Sequence, residues 1–156
     1  MSQSLSHILI HATFSAKNRL RALAYPDLRE ALDAYAVGIL RNLNCPSLQT
    51  RSVIDHIHIF YVQSRTATVA DVIGTLKRET SAWVKKQKPD VKDPGLVKFA
   101  WQGGYAAFSV SESAAESVKE YISNQEEHHK RMTFQEEYRR LLEKHGVAFD
   151  EKYMWD

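Results

Sequence analysis

Two hydrophobic rhythms divide this chain. Over residues 5–15 the residues alternate, with Ile8, Ile10, Ala12 and Phe14 on one side and His7, Leu9, His11 and Thr13 on the other. A period of two is that of a strand with one face in a core. From Pro26 the period lengthens. Leu28, Leu32, Tyr35, Ile39 and Leu43 recur at helical spacing, Pro26 suits an early helical position, and Asn44-Cys45-Pro46 closes the segment. Strands are predicted at about 47–54 and 55–63, joined near Ile54–Asp55. A second helix spans about 69–88, with Val69, Val72, Ile73, Leu76, Thr80, Trp83 and Val84 as its apolar stripe and Pro89 beyond its end.

A short strand follows at about 104–109, where Gly103-Gly104 before Tyr105 marks a tight turn or a close backbone approach. The next helix runs from 113 to about 130, with Ser113 as cap and Glu116 completing a capping box. The last covers 133–145, opening on a second capping box, Thr133 with Glu136, and ending before Gly146. The order β-α-β-β-α-β predicts an α+β fold of the ferredoxin-like or RRM type, an antiparallel sheet packed on helices, followed by two C-terminal helices.

With 156 residues, 44% of them hydrophobic, the chain is long enough to bury a core as one domain, 1–156. No apolar stretch approaches the roughly 18 residues of a membrane span, and no signal-peptide pattern opens the sequence. The single cysteine, Cys45, rules out an internal disulfide framework and fits a reducing cytoplasm. A formal charge of +2 is weak for a nucleic-acid binder, so a DNA surface has to come from local clusters. Lys17, Asn18, Arg19 and Arg21 after the first strand form one such cluster, and Lys77, Arg78, Lys85, Lys86 and Lys88 on the second helix form another. Each is a candidate contact to DNA phosphates and equally a solvated surface.

The candidate chemistry begins at His56-Ile57-His58, set among Val53, Ile54, Ile59 and Phe60. Residues two apart on a strand share a face, so both imidazoles leave one side of the sheet about 7 Å apart at the backbone. That spacing suits two ligands of one divalent ion, although packed histidine pairs have the same pattern. Ile57 and Ile59 take the opposite face, predicted to pack on helices, which leaves the histidines on an open sheet face. Tyr121 and Gln125 are four apart on one helix face. They offer a phenolic nucleophile and a neutral oxygen ligand, or else a packed tyrosine and a solvated glutamine. His129, four residues past Gln125, is a spare ligand or a surface residue, and His7 and His11 lie on a strand that can neighbour the histidine strand.

Together, His56-Ile57-His58 on a strand and the run from Tyr121 through Gln125 to His128-His129 on a late helix resemble the HUH single-tyrosine transposases of small bacterial insertion sequences. The resemblance extends over nearly the whole chain. It takes in Thr13–Arg19, Asp55–Ile59, Leu76-Lys77-Arg78 with Trp83, Trp101–Ser109, Phe134, Glu137-Tyr138 and Asp150–Trp155. It implies that Tyr121 is a nucleophile and that His56, His58 and Gln125 hold Mg²⁺ or Mn²⁺. It further implies cleavage and rejoining of single-stranded DNA at hairpin-bearing element ends through a 5′-phosphotyrosine. The family also implies a homodimer in which the tyrosine helix of one subunit can dock on the histidines of the other. No Gly-rich phosphate loop is present, which fits a reaction that conserves ester-bond energy. A domesticated relative acting on repeated palindromes of its host genome has the same residues. A non-catalytic RRM-like nucleic-acid-binding module is the other alternative, but His56 and His58 stand where its stacking aromatics are expected.

Overall fold

The structure is a computed structural model describing residues 2–87 and 94–156. Its elements are β1 (Leu9–Ser15), α1 (Pro26–Asn42), β2 (Ser47–Ser52), β3 (His56–Val62), α2 (Val69–Lys86), α3 (Pro94–Val97), β4 (Ala106–Val110), α4 (Ala115–Ser123), α5 (Gln125–His128) and α6 (Phe134–Lys144). Among the described residues the strands form one antiparallel sheet in the order β2-β3-β1-β4. The two β-α-β units interleave, which puts β1 and β3 at the centre and matches the predicted ferredoxin-like arrangement. α3 has no counterpart in the sequence reading, and Lys88 and Pro89 lie outside the described residues.

Alternation along the two central strands divides the core. Ile10, Ala12 and Phe14 of β1 join Ile57, Ile59 and Tyr61 of β3 on one face. There they meet Leu28, Leu32, Ala36, Ile39 and Leu40 of α1 and Val72, Ile73, Leu76 and Val84 of α2. The opposite face carries the histidines, and it is not open. Leu9 and Phe60 pack on Ala115 and Ile122, while Ala106 and Phe108 pack on Phe134, Tyr138, Leu141 and Leu142. The C-terminal helices carry apolar stripes of their own, which the second sheet face buries. A sheet between two helical layers results, and the histidines are sealed inside the second layer.

Helix ends follow local chemistry with one exception. Thr133 accepts from the Glu136 N–H at 3.3 Å, and Thr68 caps α2 by accepting from the Asp71 N–H at 3.0 Å. Gly146, at φ +66°, closes α6 with Val147 N bonded to Leu142 O at 2.9 Å and Gly146 N to Glu143 O at 3.1 Å. Ser113 does not cap its helix. Ser113 Oγ pairs with Ser111 Oγ at 3.1 Å, and a 3₁₀ turn over Glu112–Ala114 leads into α4 instead. The continuous helix expected to about 130 is broken at Asn124 (φ −95°, ψ 18°), which separates α4 from α5.

Asp33 on α1 accepts from the Ser52 N–H at 2.9 Å, tying α1 to the end of β2. Burial pushes its carboxyl from 3.8 up to about 6, although Ser52, Arg51 and Arg29 pull the other way. A raised acid pKa means the folded state holds a proton that the unfolded state has released. The contribution of this carboxyl to stability is therefore fully present below about pH 4 and is lost as pH rises through about 6. Asp33→Asn keeps the acceptor and removes the ionisation. The variant is expected to melt higher than wild type at pH 7.5, by on the order of 2 kcal/mol, with the difference vanishing near pH 4. Thermal unfolding at the two pH values checks this.

Candidate active site

β3 aims His56 and His58 to one side, and both are fully buried. Asp55, the residue before the strand, holds His56 Nδ1 at 2.7 Å. β1, antiparallel to β3, brings His11 Nε2 within 2.8 Å of His58 Nδ1. The Nε2 atoms of both strand histidines then face one carboxylate. Glu137 Oε1 lies 2.9 Å from His58 Nε2, 3.5 Å from His56 Nε2 and 3.2 Å from His129 Nε2. Its other oxygen, Oε2, accepts from Gln125 Nε2 at 3.0 Å and from the Tyr121 hydroxyl. Gln125 Oε1 is 2.9 Å from His129 Nε2 and 3.4 Å from His56 Nε2.

Protonation states follow from this network. Glu137 is buried, yet His58, His129 and His56 hold it far below the usual carboxylate range, so it stays ionised. Burial lowers His58 against the pull of Glu137 and keeps the ring neutral. A neutral His58 that donates Nε2–H to Glu137 must accept at Nδ1, so His11 donates there. His11 is likewise neutral, pushed down to about 3 by burial and by His58. For His56 burial also opposes charge, but the bonds to Asp55 and Glu137 win and raise it. Burial and the Glu137 carboxylate raise Tyr121, so its phenol is neutral at physiological pH.

One donor atom each from His56, His58, His129 and Glu137 lies within 4.8 Å of the others, a spacing that one divalent ion can satisfy. Each strand histidine has a partner on its far ring nitrogen, Asp55 for His56 and His11 for His58; to ligate through Nε2, His58 would shift its proton to Nδ1 and donate it to His11. The site thus gathers Tyr121, His56, His58 and Gln125, all anticipated from sequence. His129 lies in the same cluster, half-buried, with Nε2 2.9 Å from Gln125 Oε1 and 3.2 Å from Glu137 Oε1. Glu137 was missed as a participant. Its signal was a carboxylate inside the apolar stripe of α6, at helical spacing with Phe134, Tyr138 and Leu141.

The predicted DNA contacts separate. Lys17, Asn18 and Arg19 form a 3₁₀ turn after β1, with Asn18 and Arg19 at φ 57° and 54°. Arg19 lies 5.6 Å from the Trp155 ring and lines a cavity of about 640 Å³ with Arg21, Arg29 and Lys130; Asp55 and Glu126 line it too, Glu126 lying 3.5 Å from Arg29, and the hollow reaches His129. Lys77 points elsewhere. Its amine donates to the carbonyls of Gln102, Gly103 and Gly104 at 2.9, 3.1 and 2.6 Å, and burial lowers it to about 8. Arg78, one residue on, is exposed. A further cavity of about 390 Å³ between β4, α4 and α6 opens onto Tyr121 and His11.

Over residues 4–125 the sequence matches the family described as "Transposase IS200 like". The chain belongs to the IS200-like transposase family. Transposition and DNA binding are therefore its class of activity. No curated protein matches the chain. Solved structures repeat the fold of this IS200-like transposase. A crystal structure assigned as a transposase from Deinococcus radiodurans R1 has a TM-score of 0.61 at 19% identity, covering 80% of this chain and 98% of that one. A REP-associated tyrosine transposase bound to a REP hairpin has a TM-score of 0.57 at 12% identity, covering 83% of this chain and 74% of that one. The family match stops at Gln125, so His129 and Glu137 lie beyond it. No helix among the described residues is long and apolar enough to cross a membrane.

Proposed function

We propose that this IS200-like transposase cleaves and rejoins single-stranded DNA at hairpin-bearing element ends, with Tyr121 as nucleophile and Mg²⁺ or Mn²⁺ at His56, His58 and Gln125. One observation carries the reading: the Tyr121 hydroxyl and the Nε2 atoms of both strand histidines converge on the two oxygens of a single carboxylate. A nucleophile and a candidate metal-binding pair thus meet at one carboxylate. When bound, the divalent ion polarises a non-bridging phosphate oxygen and neutralises its charge. Tyr121 Oη attacks phosphorus, the bond to the 3′ oxygen breaks, and the phenolic proton is accounted for on the released 3′-hydroxyl. The 5′-phosphotyrosine keeps the ester-bond energy, so a 3′-hydroxyl can reverse the step on another strand.

The remaining chain positions the reactants. Gln125 and Glu137 hold the phenol and the histidines in register, and the Arg19–Arg21–Arg29–Lys130 hollow offers a path for backbone phosphates. Lys17, Asn18 and Arg78 extend the proposed DNA surface, whereas Lys77 acts on it through the 102–104 turn it braces. The hairpin assignment draws on the REP-associated relative, whose structure holds a REP hairpin. Tyr121 stands at its own chain's histidines, which supports action in cis. A homodimer with exchanged tyrosine helices is the alternative geometry. We assign the activity to the cytoplasm, where the lone thiol of Cys45 stays reduced.

Purified protein, incubated with labelled single-stranded hairpin DNA and Mn²⁺ or Mg²⁺, is expected to form a protein–DNA adduct that survives denaturation. The adduct should vanish with a chelator and return on adding metal. Failure across a library of hairpin-bearing strands with both ions overturns the reading.

A further inference from the structure

Three imidazoles approach Glu137 Oε1, from His58 at 2.9 Å, His129 at 3.2 Å and His56 at 3.5 Å. One carboxylate oxygen does not need three such partners to be satisfied. The side chains of His56, His58 and Glu137 are at most 1% exposed and that of His129 is 16% exposed, so water does little for this charge cluster. Groups gathered in this way are costly to bury unless they are mutually compensated or hold an ion. They also come from separate elements: β3, the C-cap residue that follows α5, and α6.

We propose that His129 and Glu137 complete a four-donor divalent-metal site with His56 and His58, and that the second oxygen of Glu137 holds the Tyr121 hydroxyl. The proposal rests on the reading that the strand histidines bind an ion, and it adds two ligands beyond the extent of the family match. Gln125, the ligand proposed above, keeps its place at the same centre, with its carboxamide bonded to His129 and to Glu137 Oε2 and its oxygen 3.4 Å from His56 Nε2. Two chemical consequences follow. Three imidazoles and one carboxylate form a donor set that favours Mn²⁺ or another transition ion over Mg²⁺, which prefers oxygen and retained water. The carboxylate also leaves the loaded site with a smaller positive charge, still of the sign that attracts a phosphodiester. Because Glu137 touches both the ion's ligands and the nucleophile, α6 becomes part of the active centre.

Calorimetric titration of metal-stripped full-length protein with MnCl₂ and, separately, MgCl₂ tests this, with Co²⁺ absorption reporting the ligand set. Wild type is expected to bind one Mn²⁺ per chain, more tightly than Mg²⁺. Glu137→Gln and His129→Ala should each weaken Mn²⁺ by at least about ten-fold and change the spectrum of the Co²⁺-saturated protein. Variants that bind Mn²⁺ as wild type does, or whose saturated Co²⁺ spectra match it, overturn the four-donor site and leave the histidine-pair reading standing. Wild type that binds neither Mn²⁺ nor Co²⁺ overturns both. Far-UV circular dichroism verifies folding, and if Glu137→Gln does not fold, the half-buried His129→Ala decides the matter.

Discussion

Tyr121→Phe is expected to lose adduct formation by at least about three orders of magnitude while binding hairpin DNA within about two-fold of wild type. The size of the effect follows from the role: without the phenolic oxygen there is no atom to bond to phosphorus. The specificity follows from the surroundings. The ring lies 5.1 Å from His128, 5.9 Å from His58 and 6.1 Å from His11, all edge-on contacts that phenylalanine keeps. The hydroxyl's hydrogen bond to Glu137 is lost, and Gln125 Nε2 still donates to that oxygen at 3.0 Å. No buried acceptor is orphaned, so the stability cost stays near 1 kcal/mol. Denaturing gels read the adduct and mobility shifts read the binding. A fully active Tyr121→Phe protein refutes the nucleophile.

What could be read from the sequence was whatever depends on local period. Alternation along β3 put His56 and His58 on one face and Ile57 and Ile59 on the other, and both placements hold. The four-residue step from Tyr121 to Gln125 also held, across a break at Asn124 that periodicity does not register: His128 N still bonds to Asn124 O at 2.9 Å, so the helical path continues past the kink. His11 was anticipated only as a neighbour of the histidine strand, because antiparallel register depends on a long-range pairing that no local pattern encodes.

Three features needed tertiary structure. The histidine face was expected to be open, and the C-terminal helices close it because their own apolar stripes must be buried somewhere. Glu137 is 79 residues from His58 in sequence, and no spacing rule links an α6 carboxylate to a strand imidazole. Lys77 counted as basic surface, yet its long stem lets the amine cross to the 102–104 turn, where three carbonyls replace water. The Gly103-Gly104 signal was legible in kind: Gly104 N bonds to Asp156 O at 2.8 Å, and a Cβ on Gly103 would lie 3.3 Å from that oxygen.

His56→Ala is the second large effect expected, a loss of at least about 100-fold in metal-dependent cleavage with the fold retained. The removed ring lies 4.5 Å from those of both Phe134 and His129, so a cavity of imidazole size costs about 2 kcal/mol. The charges left behind are not stranded. Asp55 has a side chain 22% exposed and reaches water, while Glu137 retains His58, His129, Gln125 and the Tyr121 hydroxyl. This makes His56 a cleaner probe than His58, whose loss also deprives buried His11 of the nitrogen to which it donates at 2.8 Å. Raising Mn²⁺ should recover part of the cleavage if the defect lies in affinity. Cleavage equal to wild type, after chelation and metal titration, removes the histidine pair from the chemistry and leaves Tyr121 beside a purely structural ion-pair network.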